Sequence, residues 1–254
     1  MVNGNKIVIV TQARIGSSRF PRKIMQRLGN KTLIEHHLDR LLSVKNVDKV
    51  IVATTKESGI EELIYLLSKK EVKVYQGSTD NVLDRFYKAV KDEAPDYVVR
   101  VTSDCPLIDP ELIEEVITFT INKGLDYGAN VLKELYPDGQ DIEVFRFSAL
   151  EKAFKEASLN SDKEHVTPFI RRNSSFVGGE LFKSDNYNCE ANYNGIRMTI
   201  DEKPDLYACE TMIGKLGNDA KWKDYTDFII ENQQLFKNQK IKRNEGFEKS
   251  LKND

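Results

Sequence analysis

The sequence predicts an α/β protein with a mainly parallel β-sheet flanked by helices. Short apolar segments rich in β-branched residues alternate with longer amphipathic segments through the first half of the chain. This order is typical of strands joined by right-handed crossover helices. The apolar run at residues 7–10 has no polar interruption, which indicates a strand covered on both faces.

The predicted elements follow one another closely in the first half. Strands are predicted at residues 6–10, 49–53, 72–75 and 97–101, and helices at 32–44, 57–69 and 80–93, where apolar residues recur every three or four positions. A further helix should begin after Asp109, which can cap it, with Pro110 in its first turn. It should end near Lys123, because Gly124 follows.

The second half is less regular. Strands are predicted at residues 126–132 and 141–147 around a turn at 137–139, and one more at 197–200; helices are predicted at 148–157, 162–172, 204–216 and 225–236. Residues 173–196 give no readable pattern. We expect one domain over residues 1–236 and a flexible polar tail over 237–254, which has many Lys, Asn and Glu and few apolar residues.

Composition narrows the functional class. The chain has 254 residues, a net charge of −2 and a pI near 6.1, which favours neither nucleic acid nor an anionic membrane as a partner. The three cysteines are widely spaced, so neither a disulfide framework nor a zinc knuckle is indicated. Without a visible secretory signal or a spanning segment, we expect a cytoplasmic protein.

The loop after the first strand is the strongest functional signal. Residues 12–23 contain Gly16 and Ser17 next to four cations, among which Arg14 and Lys23 are the predicted phosphate ligands. Backbone N–H groups and cations at the carboxyl end of a strand suit a polyphosphate. The alternative is a surface loop with solvated charges. The Walker and dinucleotide-binding glycine patterns are absent.

Two aspartates lie where strands are predicted to end. Asp104 follows the predicted strand 97–101, and a carboxylate there can bind Mg²⁺ that arrives with substrate phosphates. Asp109 is better explained as a helix cap. Asp201 could cap the helix near Pro204 or could be a second metal carboxylate, and the residues alone leave both possibilities open.

Several other polar residues give weaker signals. Arg85 lies in a helical pattern, and the alternative explanation for it is a solvated helix face. Asp141 and Glu143 alternate on a predicted strand and therefore share a face. His165 belongs to neither a catalytic triad nor a zinc motif.

These segments, taken together, resemble the acylneuraminate and Kdo cytidylyltransferases, and within them the spore-coat-polysaccharide (SpsF-like) branch. The matching segments lie in order at residues 12–23, 52–55, 77–85, 100–109, 137–145, 163–168 and 199–201. One departure is Ser103, which stands where the branch usually has Gly before the metal-binding Asp.

The resemblance implies a GT-A-like, Rossmann-like nucleotidyltransferase fold, CTP and a small sugar-like acceptor as partners, Mg²⁺ as cofactor, and a homodimer. It makes residues 126–196 an acceptor-binding and dimerisation lobe. It places the catalytic positions at Arg14, Lys23 and Asp104 and the metal carboxylates at Asp104 and Asp201. The implied nucleotide-binding residues are Gln12, Ala13, Arg14, Gly16, Ser17, Lys23, Thr54 and Arg85. The implied acceptor-binding residues are Gln140, Glu143 and His165.

The function that the resemblance implies is transfer of CMP from CTP to a sugar acid, or to a related sugar or polyol phosphate, with release of pyrophosphate, for a surface polysaccharide. The alternative is a GT-A-type glycosyltransferase that uses a nucleotide-sugar. That alternative expects a D-x-D metal motif, whereas residues 102–106 contain one Asp. A non-catalytic nucleotide sensor is the third hypothesis.

Overall fold

A seven-stranded mixed β-sheet with helices on both faces forms the body of the protein. The structure is a computed structural model that describes residues 4–16, 20–241 and 243. The strands are β1 (Ile7–Ala13), β2 (Arg27–Leu28), β3 (Lys31–Thr32), β4 (Lys49–Thr55), β5 (Lys73–Gly77), β6 (Tyr97–Thr102), β7 (Tyr127–Ala129), β8 (Glu143–Arg146) and β9 (Ser184–Asn186). The helices are α1 (Leu33–Leu42), α2 (Glu61–Leu67), α3 (Val82–Val90), α4 (Pro110–Asn122), α5 (Phe147–Glu156), α6 (Asn160–His165), α7 (Pro168–Arg172), α8 (Lys203–Leu216) and α9 (Trp222–Glu231).

The strand order is β5-β4-β1-β6-β8-β7-β9, and β2 with β3 forms a separate antiparallel pair. Strands β5, β4, β1 and β6 are parallel, β8 is antiparallel to both neighbours, and β9 is parallel to β7. Gln12 pairs with Ala53 of β4 and with Thr102 of β6, so the three strands end at the same edge. The predicted α/β class is therefore confirmed.

The central strands of the sheet are buried on both faces, as the uninterrupted apolar run in β1 predicts. Ile7 and Ile9 belong to one hydrophobic cluster with α1, α4 and α8, while Val8 and Val10 belong to a second cluster with α3 and α5. Successive side chains of a strand point to opposite faces, so the residues of β1 contribute alternately to the two hydrophobic clusters. Local signals set the helix starts: Asp109 accepts hydrogen bonds from the first N–H groups of α4, as predicted.

The segment 197–200, which the sequence predicts as a strand, is not one. Its contact with the turn before β8 is an isolated bridge between Asp138 and Arg197. The carbonyl of Asp138 accepts from both Met198 and Thr199, whereas the N–H of Ile200 turns to Asp104. Because successive N–H groups bond to different segments, no ladder can form.

Two further predictions change in detail. The helix predicted at 162–172 is divided into α6 and α7 at Val166, whose φ is 71°. Pro168 takes the first position of the second helix, where its missing N–H breaks no helical hydrogen bond. The strand predicted at 126–132 is reduced to β7, and directly after it the side chain of Asn130 bonds to the backbone of Gln140 and Ile142.

The first part of the predicted flexible tail packs against the body. Asn238 is buried and donates to Asp205, and the Gln239 side chain bonds to both backbone groups of Arg197. Arg243 forms an ion pair with Asp141. This part of the prediction is wrong because its few polar side chains find buried partners. In the described ranges, no helix combines the length and apolarity that crossing a bilayer requires.

Candidate active site

A cavity of about 420 Å³ opens where β1 and β6 end. It is bounded by the loops after these strands, by α3, by the α6–α7 corner and by the segment before α8. Most of the site residues predicted from sequence line it. These are Gln12, Ala13, Arg14, Gly16, Lys23, Arg85, Asp104, Glu143, His165 and Asp201.

Lys23 joins the two aspartates at the floor of this cavity. Its ammonium lies 2.8 Å from Oδ2 of Asp104 and 2.8 Å from Oδ1 of Asp201. Burial alone would lower the pKa of Lys23, but the two carboxylate charges outweigh burial and raise that pKa. The pKa of Asp104 is lowered because Lys23 outweighs the burial of the carboxylate. Both aspartates therefore converge on one cation.

Backbone contacts hold both aspartates in place. The carbonyl of Asp104 accepts from the N–H of Ile200 at 2.9 Å, which ties the loop after β6 to the segment before α8. Asp201 does not cap α8. Its own N–H donates to the carboxylate of Asp205 at 2.9 Å, and the N-cap residue is Glu202. The capping alternative for Asp201 is thereby excluded, and its carboxylate is directed to Lys23.

Asp104 and Asp201 are the residues that could hold a divalent cation. Within the described residues, no cluster of three or more His, Cys, Asp or Glu side chains forms a metal cage. Two carboxylates around one cation match the donor set of Mg²⁺, which commonly binds one or two protein carboxylates and takes its other ligands from phosphates and water. The residues therefore fit a cation that arrives with a nucleotide.

Two arginines supply positive charge on the β1–α3 side. Arg14 is exposed, whereas Arg85 is 1% exposed and donates to the carbonyl of Ser78. Burial and the nearby Arg14 charge lower the pKa of Arg85 to about 10. The solvated-face explanation for Arg85 is therefore wrong. Two guanidinium groups held near each other suit a polyanionic ligand.

Two of the predicted nucleotide-binding residues, Gln12 and Thr54, differ in their access to the cavity. Gln12 lines the cavity, and its buried Oε1 has no hydrogen-bond partner in the described part of the chain, which leaves it available to a ligand. Thr54 is fully buried beside Ala13 and is not among the cavity-lining residues. Ser17 lies outside the described residues.

Gln140 does not reach the cavity. It is fully buried; its Oε1 accepts from the N–H of Asp109 at 2.9 Å, and its Nε2 donates to the carbonyl of Leu107 at 2.9 Å. It fixes the loop before α4, so contact with an acceptor would break bonds that this loop requires. The prediction for Gln140 is wrong because the sequence cannot show which groups an amide meets.

Glu143 and His165 lie at the other side of the cavity. Glu143 accepts a hydrogen bond from Tyr127 at 2.5 Å and forms an ion pair with Arg100. Arg171 of α7 also lines this side, and its Nη2 reaches the carbonyl of Leu132 at 3.3 Å. The structure thus adds Arg100 and Arg171 to the predicted set.

Arg197 is a further residue that the sequence did not reveal. It is 4% exposed, and its guanidinium bonds to Asp138, Asp201 and Asp205, with two bonds to the last. The charges of these aspartates outweigh burial and raise the pKa of Arg197. The sequence shows Arg197 four residues before Asp201. Because residues 197–200 were predicted as an extended strand, this spacing did not indicate a contact between the two side chains.

The fold and the charged groups of the site together indicate one class of enzyme. A sheet edge with paired aspartates, a bridging lysine and two neighbouring arginines suits the phosphate chemistry of an α/β nucleotidyltransferase. A sequence model of the cytidylyltransferase family matches residues 7–242, and the chain belongs to this family. It is a CTP-dependent nucleotidyltransferase.

Relatives and solved structures agree with this assignment. An uncharacterized protein of Methanocaldococcus jannaschii is 37% identical, over 79% of this chain and 80% of the relative. The spore coat polysaccharide biosynthesis protein SpsF of Bacillus subtilis is 28% identical, over 84% and 88%. The structure of a cytidylyltransferase from Leptospira borgpetersenii superposes with a TM-score of 0.85 at 30% identity, over 94% of this chain and all of that one.

A CTP complex of CMP:2-keto-3-deoxy-manno-octonic acid synthetase has a TM-score of 0.60 at 18% identity, over 83% of this chain and 99% of that one. At this identity the likeness concerns the fold alone. It supports the predicted nucleotidyltransferase architecture, and family membership favours cytidylyl transfer over the glycosyltransferase alternative.

Proposed function

We propose that the protein transfers CMP from CTP to a sugar acid similar to a nonulosonic acid, or to a related sugar or polyol phosphate, with release of pyrophosphate. The observation that carries the proposal is the convergence of Asp104 and Asp201 on Lys23 at the floor of the cavity. The names of two groups of relatives support the acceptor class, namely SpsF and the 3-deoxy-manno-octulosonate cytidylyltransferases, the latter over about half of this chain. We place the product in surface polysaccharide synthesis.

In the proposed reaction an oxygen of the acceptor attacks the α-phosphorus of CTP in line, and the bond to the bridging oxygen of pyrophosphate breaks. Transfer of this kind depends on positioning and charge neutralisation. Arg14, Arg85 and Lys23 supply cations on the triphosphate side. Asp104 and Asp201 would hold Mg²⁺, which when bound polarises phosphate oxygens and neutralises their charge.

The charges on the acceptor side favour an acidic acceptor. Arg100 is paired with Glu143, and Arg197 with Asp138. Arg171 has no carboxylate within salt-bridge distance in the described part of the chain. A cavity-facing guanidinium without a counter-ion can bind a carboxylate or phosphate oxygen. We therefore assign Arg171 to the acid group of the acceptor, with Glu143 and His165 near its hydroxyl groups.

A pyrophosphate-release screen tests the function. Each of the four nucleoside triphosphates is combined with nonulosonic acids, Kdo-like acids and sugar or polyol phosphates, with and without Mg²⁺. We expect turnover with CTP, Mg²⁺ and an acidic acceptor. Asp104→Asn should nearly abolish it, whereas Asp92→Asn, a change of an exposed carboxylate outside the cavity, should not. Near-normal pyrophosphate release by Asp104→Asn would refute the role of this carboxylate.

We also propose that the enzyme is a homodimer formed through residues 126–196. Light scattering of the purified protein gives the test: a mass of about twice 29.1 kDa is expected, and a monomer at micromolar concentration contradicts this part of the proposal.

A further inference from the structure

A carboxylate that the proposed mechanism does not use holds the loop after β1. Glu57, two residues beyond β4, accepts hydrogen bonds from two successive backbone N–H groups. Its Oε1 lies 2.7 Å from the N of Ile15, and its Oε2 lies 3.2 Å from the N of Gly16. Because each oxygen accepts from a different amide, the carboxylate fixes both the position and the direction of this turn.

The contact with Glu57 leaves no room for a side chain at position 16 while the carboxylate keeps its place. A Cβ at Gly16 would lie 2.7 Å from Oε2 of Glu57, which is closer than real Cβ contacts. Gly16 is not among the glycines with a positive φ, so its backbone conformation does not exclude a side chain. A side chain at position 16 would therefore require the Glu57 carboxylate, the end of a flexible side chain, to move away from the loop.

Glu57 lies on the side of the loop that faces away from the cavity. Arg14 and Gly16 line the cavity, whereas Glu57 is not among the lining residues, and the side chain of Ile15 packs in the hydrophobic core. The N–H groups of Ile15 and Gly16 are therefore directed to Glu57 and not to a ligand. An incoming nucleotide can bind to Arg14 while the contact with Glu57 remains in place.

Glu57 also offsets part of the positive charge of Arg14 and Arg85. Burial alone raises the pKa of Glu57, but the hydrogen bonds from the loop and the charge of Arg14 lower it below its ordinary value. The Glu57 charge in turn raises the pKa of Arg85, against burial and the repulsion from Arg14, which lower it. An ionised Glu57 therefore offsets the repulsion between these two guanidinium groups before any phosphate arrives.

We propose that Glu57 is a positioning residue, whose carboxylate clamps the turn at Ile15 and Gly16 and so holds Arg14 in place for the triphosphate of CTP. In the opposite role, the Glu57 carboxylate would occupy the phosphate site as an internal anion and would have to move out before CTP could bind. The two roles predict opposite changes in CTP affinity when the carboxylate is removed. The proposal concerns the nucleotide half of the site and does not depend on the acceptor.

Calorimetric titration with CTP and Mg²⁺, without acceptor, separates the two roles. For Glu57→Ala we expect CTP affinity to fall at least tenfold, whereas CMP affinity should change less than threefold, because the clamp serves the β- and γ-phosphates. The melting temperature should stay within a few degrees of the wild-type value. Glu57→Asp should recover part of the loss, and Glu71→Gln, a change of an exposed carboxylate, should have no effect. Tighter CTP binding by Glu57→Ala overturns the proposal.

A double-mutant cycle with Gly16→Ala gives a second test. Alone, Gly16→Ala should weaken CTP binding about as much as Glu57→Ala, because the added methyl group displaces the carboxylate. When Glu57→Ala is already present, adding Gly16→Ala should lower CTP affinity by less than a further twofold, since the carboxylate oxygen that meets the methyl group is gone. Losses that simply multiply would contradict the clamp. Absence of acceptor turnover would refute the proposed function but would leave these CTP-binding results, and the clamp, standing.

Discussion

His37 provides the sharpest prediction about pH. It is fully buried beneath the site, where its Nδ1 lies 2.9 Å from the carbonyl of Cys105 and its Nε2 lies 3.0 Å from Oγ1 of Thr11. Because a carbonyl can only accept, Nδ1 must carry the proton, and Nε2 of the neutral ring then accepts from Thr11. His37 thereby connects α1 to β1 and to the turn that carries Asp104.

Burial lowers the pKa of His37 from 6.5 to about 4, against the bond to Cys105 and the charge of Asp104, which raise it. A lowered pKa in the folded state means that the unfolded chain binds more protons between these two values. Stability from the neutral ring is therefore complete above pH 6.5 and falls as the pH decreases toward 4. Between these two pKa values the free energy of unfolding falls by about 1.4 kcal/mol per pH unit, so His37 lowers it by about 3 kcal/mol in total by pH 4.

Urea unfolding of the wild type and of His37→Gln between pH 7.5 and 4 measures this effect. Carboxylates that titrate in the same range contribute to both proteins and cancel in the difference. The wild type should be more stable at pH 7.5, because His37→Gln loses fitted hydrogen bonds, and its advantage should shrink by about 3 kcal/mol toward pH 4. A difference in unfolding free energy that stays constant within about 0.5 kcal/mol across this range would refute the buried neutral imidazole.

Three further predictions concern the charged groups of the site. Lys23→Gln should lower kcat/KM for CTP by a factor of about 100 to 1,000, as expected for loss of a charged group that stabilises the transition state, and an unchanged value in steady-state kinetics would contradict its role. Arg171→Gln should raise KM for the acidic acceptor about tenfold or more and leave KM for CTP unchanged. The control is Arg27→Gln, which changes an exposed arginine outside the cavity. Equal effects on the KM values of both substrates would argue against the assignment of Arg171 to the acceptor. Arg197→Met should destabilise the fold by about 3–5 kcal/mol in urea unfolding, because it leaves Asp205 buried without its counter-ion, and a loss below about 1 kcal/mol would show that Asp205 is stabilised otherwise.

The sequence predicted those parts of the site that follow directly from strand ends. Arg14 and Lys23 lie in the loop after β1, and Asp104 follows β6, so the parallel order of these strands already implied that they would meet. Gln140 shows the limit of this reasoning. Its motif position suggested a ligand contact, but its amide bonds to Asp109 and Leu107, more than 30 positions away in sequence.

The α/β class, the parallel strands and the cationic loop could be predicted from the sequence, because apolar periodicity, helix caps and strand ends are local properties of the chain. Three contacts became visible only in the folded protein: Asp201 is directed to Lys23 rather than to a helix end, Arg197 is surrounded by aspartates, and Glu57 holds the loop at Gly16. These contacts join residues distant in sequence or depend on backbone direction and burial. Such properties arise only when the whole chain is packed, so local patterns could not contain them.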